Sequence, residues 1–156
     1  MSSNESKMDF FEVGDKTSLI CAESTVADVI RTTLKELNFK CHTVDSSETA
    51  VERLRYTQYD IIVVQENFAG SSLKTNAALN YLGPLPMAQR RYSMVVLVGS
   101  SFKTLDAMQA FGQSVHLVIN TSDLANLTAI LKKSWAEFDN LYRVYKGVLA
   151  AMAEGA

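Results

Sequence analysis

From Lys16 onward, short apolar runs of strand length alternate with segments whose apolar residues recur every three or four positions. Residues 17–22 (TSLICA) read as a first strand. Val26, Val29, Ile30, Leu34 and Leu37 then form one stripe of a helix, which Ser24 or Thr25 is expected to cap. Residues 39–44 (FKCHTV) alternate and read as a second strand. Asp45 followed by Glu48 resembles a capping pair, and it opens a helix carrying Ala50, Val51 and Leu54. Residues 60–64 (DIIVV) and 94–98 (MVVLV) are continuous apolar runs, the pattern of strands covered on both faces inside a parallel sheet. Between them the chain predicts a loop at Gly70 and a helix over 73–82, ended by Gly83, Pro84 and Pro86. A short helix over 104–111, a strand over 115–119 (VHLVI) and a long helix from about 122 to 152 complete the series.

Repeated strand–helix units imply a parallel sheet with helices on both faces. Right-handed crossovers leave few arrangements. The expected one is a flavodoxin-like α/β fold: a doubly wound five-stranded parallel sheet, order 2-1-3-4-5, with an extended C-terminal helix. Residues 1–15 are expected to form a flexible segment, with Phe10, Phe11 and Val13 able to dock on the domain. Residues 16–156 form that domain, the long helix at 122–152 included. In such sheets the functional crevice lies at the carboxyl ends of the strands, so the residues just after each strand bear on function.

Composition narrows the classes. A net charge of -2 argues against a protein whose main task is to neutralise nucleic-acid phosphates. The one basic loop, Arg90-Arg91, has the residues to meet an acidic partner or a nucleic-acid backbone, but two loop arginines are more often simply solvated. Cys21 and Cys41 sit in apolar runs without metal-ligand spacing, and His42 and His116 add no cluster. Buried free thiols in a reducing cytoplasm are the expectation. The opening MSSNESKMDFFEVGD lacks the apolar core of a signal peptide, and no run is long enough to span a membrane.

The lead-in YDIIVV (residues 59–64) and the segment TVADVI (25–30) resemble the framework of the receiver domain of bacterial response regulators, the chemotaxis-regulator type. The resemblance runs from residue 16 through the fifth strand, and it implies a phosphotransfer site at the carboxyl edge. In that family the first strand ends in an acidic pair, the third in the phospho-accepting aspartate, the fourth in Thr or Ser, and the fifth in Lys-Pro. Here the acidic pair is replaced by Cys21 and Ala22, with Glu23 next. The acceptor position is Gln65, the Thr/Ser position is Gly99 followed by Ser100 and Ser101, and the Lys-Pro position is Asn120-Thr121. Leu117 stands where an aromatic switch residue would be. An amide is not a carboxylate nucleophile, and magnesium needs hard oxygen ligands that Cys21 and Ala22 lack. Glu66, one residue past the acceptor slot, is expected to point elsewhere. The resemblance is thus to a degenerate, or pseudo-, receiver, with no magnesium site, no cofactor and no enzymatic activity expected.

Two other features bear on function. Gln65, Asn120, Ser24, Ser100 and Ser101 would converge at the edge as neutral hydrogen-bonding groups, which bond one another or take a small polar ligand. Gly99-Ser100-Ser101 is a small-residue turn with the makings of an anion site at a helix N-terminus. The long final helix, on the order of 45 Å, outruns the sheet. Its rows Leu131, Phe138, Tyr145, Met152 and Leu127, Ser134, Leu141, Val148 are joined by Trp135, Tyr142 and Leu149. The first half of the stripe is expected to pack on the sheet, and the rest to serve as an interface, chiefly with a second copy; the alternative is that the whole stripe packs on the sheet or folds back on Phe10 and Phe11. The reading is a signalling module working by protein–protein contact, including contact through the faces of strands four and five. The rival readings are a binding module for a small polar ligand and, less favoured, a flavodoxin-like enzyme.

Overall fold

The computed structural model describes residues 8–155. Its core is a parallel sheet in the order β2-β1-β3-β4-β5. The elements run β1 (Lys16–Cys21), α1 (Ser24–Glu36), β2 (Phe39–Val44), α2 (Ser47–Tyr56), β3 (Ile61–Gln65), α3 (Ala77–Leu82), the single turn α4 (Met87–Arg90), β4 (Met94–Gly99), α5 (Ala107–Gly112), β5 (Leu117–Asn120) and α6 (Leu127–Gly155). A 3₁₀ stretch, Thr121–Asn126, leads into α6. The strand order and the helix placement are those the sequence pattern implies.

Every residue of β3 and β4 is buried, because helices cover both faces. The two-residue period of a strand sorts the core into two layers. Ile20, Val63, Val96 and Ile119 face α1 and α6, where Ile30, Leu34, Leu131 and Phe138 meet them. Leu19, Cys21, Val64 and Leu97 face the other side, against Ala50 of α2, Leu82 of α3 and Ala110 of α5.

Caps set the helix starts and move several of them from the places the periodicity suggests. Ser46, not Asp45, caps α2 by accepting from Thr49 N at 3.2 Å. Asn76 caps α3, so that helix opens at Ala77 and residues 71–75 stay in loop. Asp106 caps α5, and Leu105 before it adopts a positive φ of 67°, so residues 104–106 form a turn and not helix. Glu23 precedes α1 without a side-chain cap.

Of the segment read as flexible, residues 1–7 lie outside the described residues. Residues 8–11 run along the outer edge of β2. Met8 forms an antiparallel bridge with His42, Asp9 N donates to Cys41 O at 3.1 Å, and Cys41 N donates to Asp9 Oδ2 at 2.9 Å. Phe11 stacks on His42 with ring centroids 3.9 Å apart, while Phe10 and Val13 remain exposed.

Candidate site at the carboxyl edge of the sheet

Gln65 ends β3 and is buried. Its Oε1 accepts from Glu23 N at 2.9 Å, which ties the tip of β3 to the tip of β1. Behind it the buried Asn76 donates from Nδ2 to Gln65 O at 2.9 Å and to Glu66 O at 3.3 Å. Gln65 therefore acts as a cross-strand link. Cys21 is fully buried in the layer facing α2 and α3, and burial pushes its thiol far above the ordinary range. A thiol held protonated in this way is a poor nucleophile and a poor metal ligand. Ala22 is buried as well, and Glu23 is exposed.

Glu66, which the strand pattern placed elsewhere, bonds Ser101 and fills the space beside Gly99, while Asn120 bonds the backbone of the same loop. Glu66 leans toward β4. Its Oε1 accepts from Ser101 N at 3.1 Å and its Oε2 from Ser101 Oγ at 2.9 Å. The edge is thus not neutral. Asn120 Nδ2 donates to Phe102 O at 2.7 Å, and its Oδ1 accepts from Ser122 N at 2.9 Å. Asn120 N donates to Thr104 Oγ1 at 2.8 Å, and Thr104 Oγ1 donates to Asp123. Gln65, Glu66, Lys74, Gly99 and Ser101 line an open cleft of about 700 Å³ at this edge. Ser24 does not join them; it lines a separate cleft with Asp28, Arg31 and Asp45.

Magnesium does not fit these residues. It takes oxygen ligands in near-octahedral array. Cys21 and Ala22 supply no such oxygen, Gln65 Oε1 holds Glu23 N, and both Glu66 oxygens hold Ser101. Among the described residues no group of three His, Cys, Asp or Glu side chains could hold a metal ion.

The long helix resolves into two faces. Leu131 and Phe138 are buried in the domain itself, and Trp135 packs edge-on against Phe39 at 5.2 Å. Tyr142 rests on Phe138 at 4.8 Å, and Tyr145 lies under the Arg91 guanidinium at 4.5 Å. Leu131, Trp135, Phe138 and Tyr142 hold α6 to its own sheet, as expected for the first half of the stripe, and Tyr145 of the same face meets the loop at Arg91. Leu141, Val148, Leu149 and Met152 are exposed, and Val144, which the heptad rows left out, joins them at 71% exposure. Leu141, Val144, Val148 and Met152 follow a three-four-four spacing, roughly a quarter turn from the docked row. Leu105, Met108 and Phe111, around α5, are exposed beside it. A groove lies between, lined by Leu105, Ala107, Leu117, Phe138 and Leu141 together with Asp106, Ser134 and Glu137. The arginine pair is also engaged internally: Arg90 donates to Ser114 O, and Arg91 covers Tyr145. No helix among the described residues is long and apolar enough to cross a membrane.

No protein-family model matches the chain, and neither does any curated protein. Solved structures do. A putative response regulator from Chloroflexus aurantiacus superposes with a TM-score of 0.61 at 14% identity, over 78% of this chain and 98% of that one. A response regulator receiver domain from Methylobacillus flagellatus gives 0.57 at 22%, over 78% and 99%. The receiver domain of a sensor histidine kinase from Pseudomonas aeruginosa, which holds magnesium in its active-site cleft, gives 0.57 at 17%, over 79% and 99%. At these identities the likeness establishes the fold, which is that of response-regulator receivers.

Proposed function

We propose that this chain is a signalling module on the receiver fold that works by protein–protein contact and not by phosphotransfer, and that one of its contacts is with a second copy of itself. The observation that carries the reading is the exposed apolar row Leu141, Val144 and Val148 on α6, with Leu105, Met108 and Phe111 exposed around α5 and a groove lined by Leu105 and Leu141 between the two. Soluble monomers rarely leave such a patch uncovered. Gln65 in the acceptor slot, bonded to Glu23 N, supports the loss of phosphotransfer. The reading includes a cytoplasmic setting, in keeping with two buried free cysteines, and no cofactor or enzymatic activity.

Size-exclusion chromatography with light scattering tests the contact. The wild-type chain is expected to run as a dimer at high micromolar concentration. Val144→Asp should return it to monomer with little loss of thermal stability, since that residue is 71% exposed. A wild-type monomer at that concentration overturns self-association. The phosphotransfer half is tested separately, with acetyl phosphate and magnesium followed by intact mass. The expected result is no change, and a reproducible gain of one phosphoryl group overturns it.

A ligand-binding reading is the alternative. The cleft beside Lys74 and Ser101 is what favours it, and stabilisation of the wild-type chain by a small anion or nucleotide in a thermal-shift screen would support it.

A further inference from the structure

Gly99 is buried at the end of β4, and its backbone does not occupy the left-handed region that would call for glycine. The space does call for it. A Cβ built at this position would fall 2.2 Å from Glu66 Oε1 and 2.5 Å from Glu66 Cδ. The missing side chain is filled by the carboxylate of the neighbouring strand's tip. That carboxylate meets two donors on one residue, the N–H and the O–H of Ser101, one on each oxygen. Glu66 is itself held at both ends of its backbone: its N–H donates to Val98 O at 2.8 Å, and its carbonyl accepts from Asn76.

We infer that the tip of β4 is a carboxylate-binding socket, formed by Gly99 and Ser101, with the chain's own Glu66 as its resident occupant, and that occupancy sets the path of the loop into α5. The socket anchors the first residues of a loop whose later residues are tied to β5 and to the 3₁₀ stretch before α6 through Phe102 O, Thr104, Asn120 and Asp123. That loop ends in Leu105 and the Asp106 cap, directly before Met108 and Phe111. The second half of the inference therefore rests on the contact-surface reading above, because it assigns what positions one rim of that surface. The first half stands without it.

Glu66→Ala empties the socket and leaves its donors in place. Amide hydrogen exchange, read residue by residue by NMR, should show Ser101 exchanging at least about tenfold faster, since a charge-assisted hydrogen bond is lost. Resonances of residues 100–111 should shift, and those of β1 and β2 should not. Acetate at tens of millimolar should restore the slow exchange, and chloride at equal ionic strength should not. Gly99→Ala should speed exchange in the same way but resist rescue by acetate, because the methyl group fills the socket. Ser101→Ala gives an independent arm should either variant fail to fold: it keeps Gly99 and Glu66 and should shift residues 102–111. Unchanged Ser101 exchange in Glu66→Ala, or rescue by chloride equal to that by acetate, overturns the socket. Altered exchange with shifts confined to residues 66 and 101 overturns its hold on α5. Light scattering on the same samples separates the readings: a chain that is monomeric throughout removes the contact surface and leaves the exchange result to decide the socket.

Discussion

His116 sits where β5 begins, and its ring replaces a rung of the sheet ladder. Its Nδ1 accepts from Val95 N at 3.0 Å, and the ring packs edge-on against Phe138 at 5.1 Å. Burial first, and Arg90 second, press its pKa down from 6.5 to about 4. The folded value lies below the unfolded one, so the neutral ring contributes its stability in full above about pH 6.5, and that stability is lost as the pH falls toward 4. A shift of this size is worth about 3 kcal/mol in all. His42, depressed by burial in the same direction, adds to the trend. Urea titrations at stepped pH should show the midpoint falling between pH 6.5 and 4, and His116→Gln should flatten that slope. Gln65 makes a second residue-level case. Gln65→Leu removes the acceptor of Glu23 N and should cost about 1 kcal/mol in the same assay.

At the scale of elements, what the sequence made legible and what it hid have distinct physical causes. Strands β3 and β4 are readable because a strand covered on both faces must be apolar at every position. Helix starts are less readable, because a cap acts through one side chain and not through a repeating pattern. Asn76 ends the stretch SSLKTN, in which Ser71, Ser72 and Thr75 are equally acceptable loop residues. Only the fold shows that it is fully buried and bonds Gln65 O, Glu66 O and Leu79 N at once. Asn76→Ala should therefore cost more than an ordinary cap, about 2–3 kcal/mol by chemical denaturation. The rows of α6 could be traced in sequence, but not which row meets the sheet. Trp135 sits against Phe39 and Phe138, so Trp135→Ala is expected to destabilise the domain by about 3 kcal/mol, in contrast to Val144→Asp. Equal unfolding midpoints for these two variants would refute the division of α6 into two faces.

For the molecule as a whole, the scaffold was open to inspection and the chemistry of its edge only half so. The positions of Cys21, Ala22, Gln65, Gly99 and Asn120 follow from counting along strands. The partnership of Glu66 with Gly99 and Ser101 does not, because it joins residues 33 to 35 apart whose pairing depends on the register of β3 against β4. The short strand β5, four residues long, is one outer edge of the sheet. The other edge, β2, is partly covered by the strip at residues 8–11. An array grown by adding strands needs both borders free, one to give and one to receive. With the β2 border partly covered by its own chain, strand addition has the β5 border left to it, which works against propagation as a fibre.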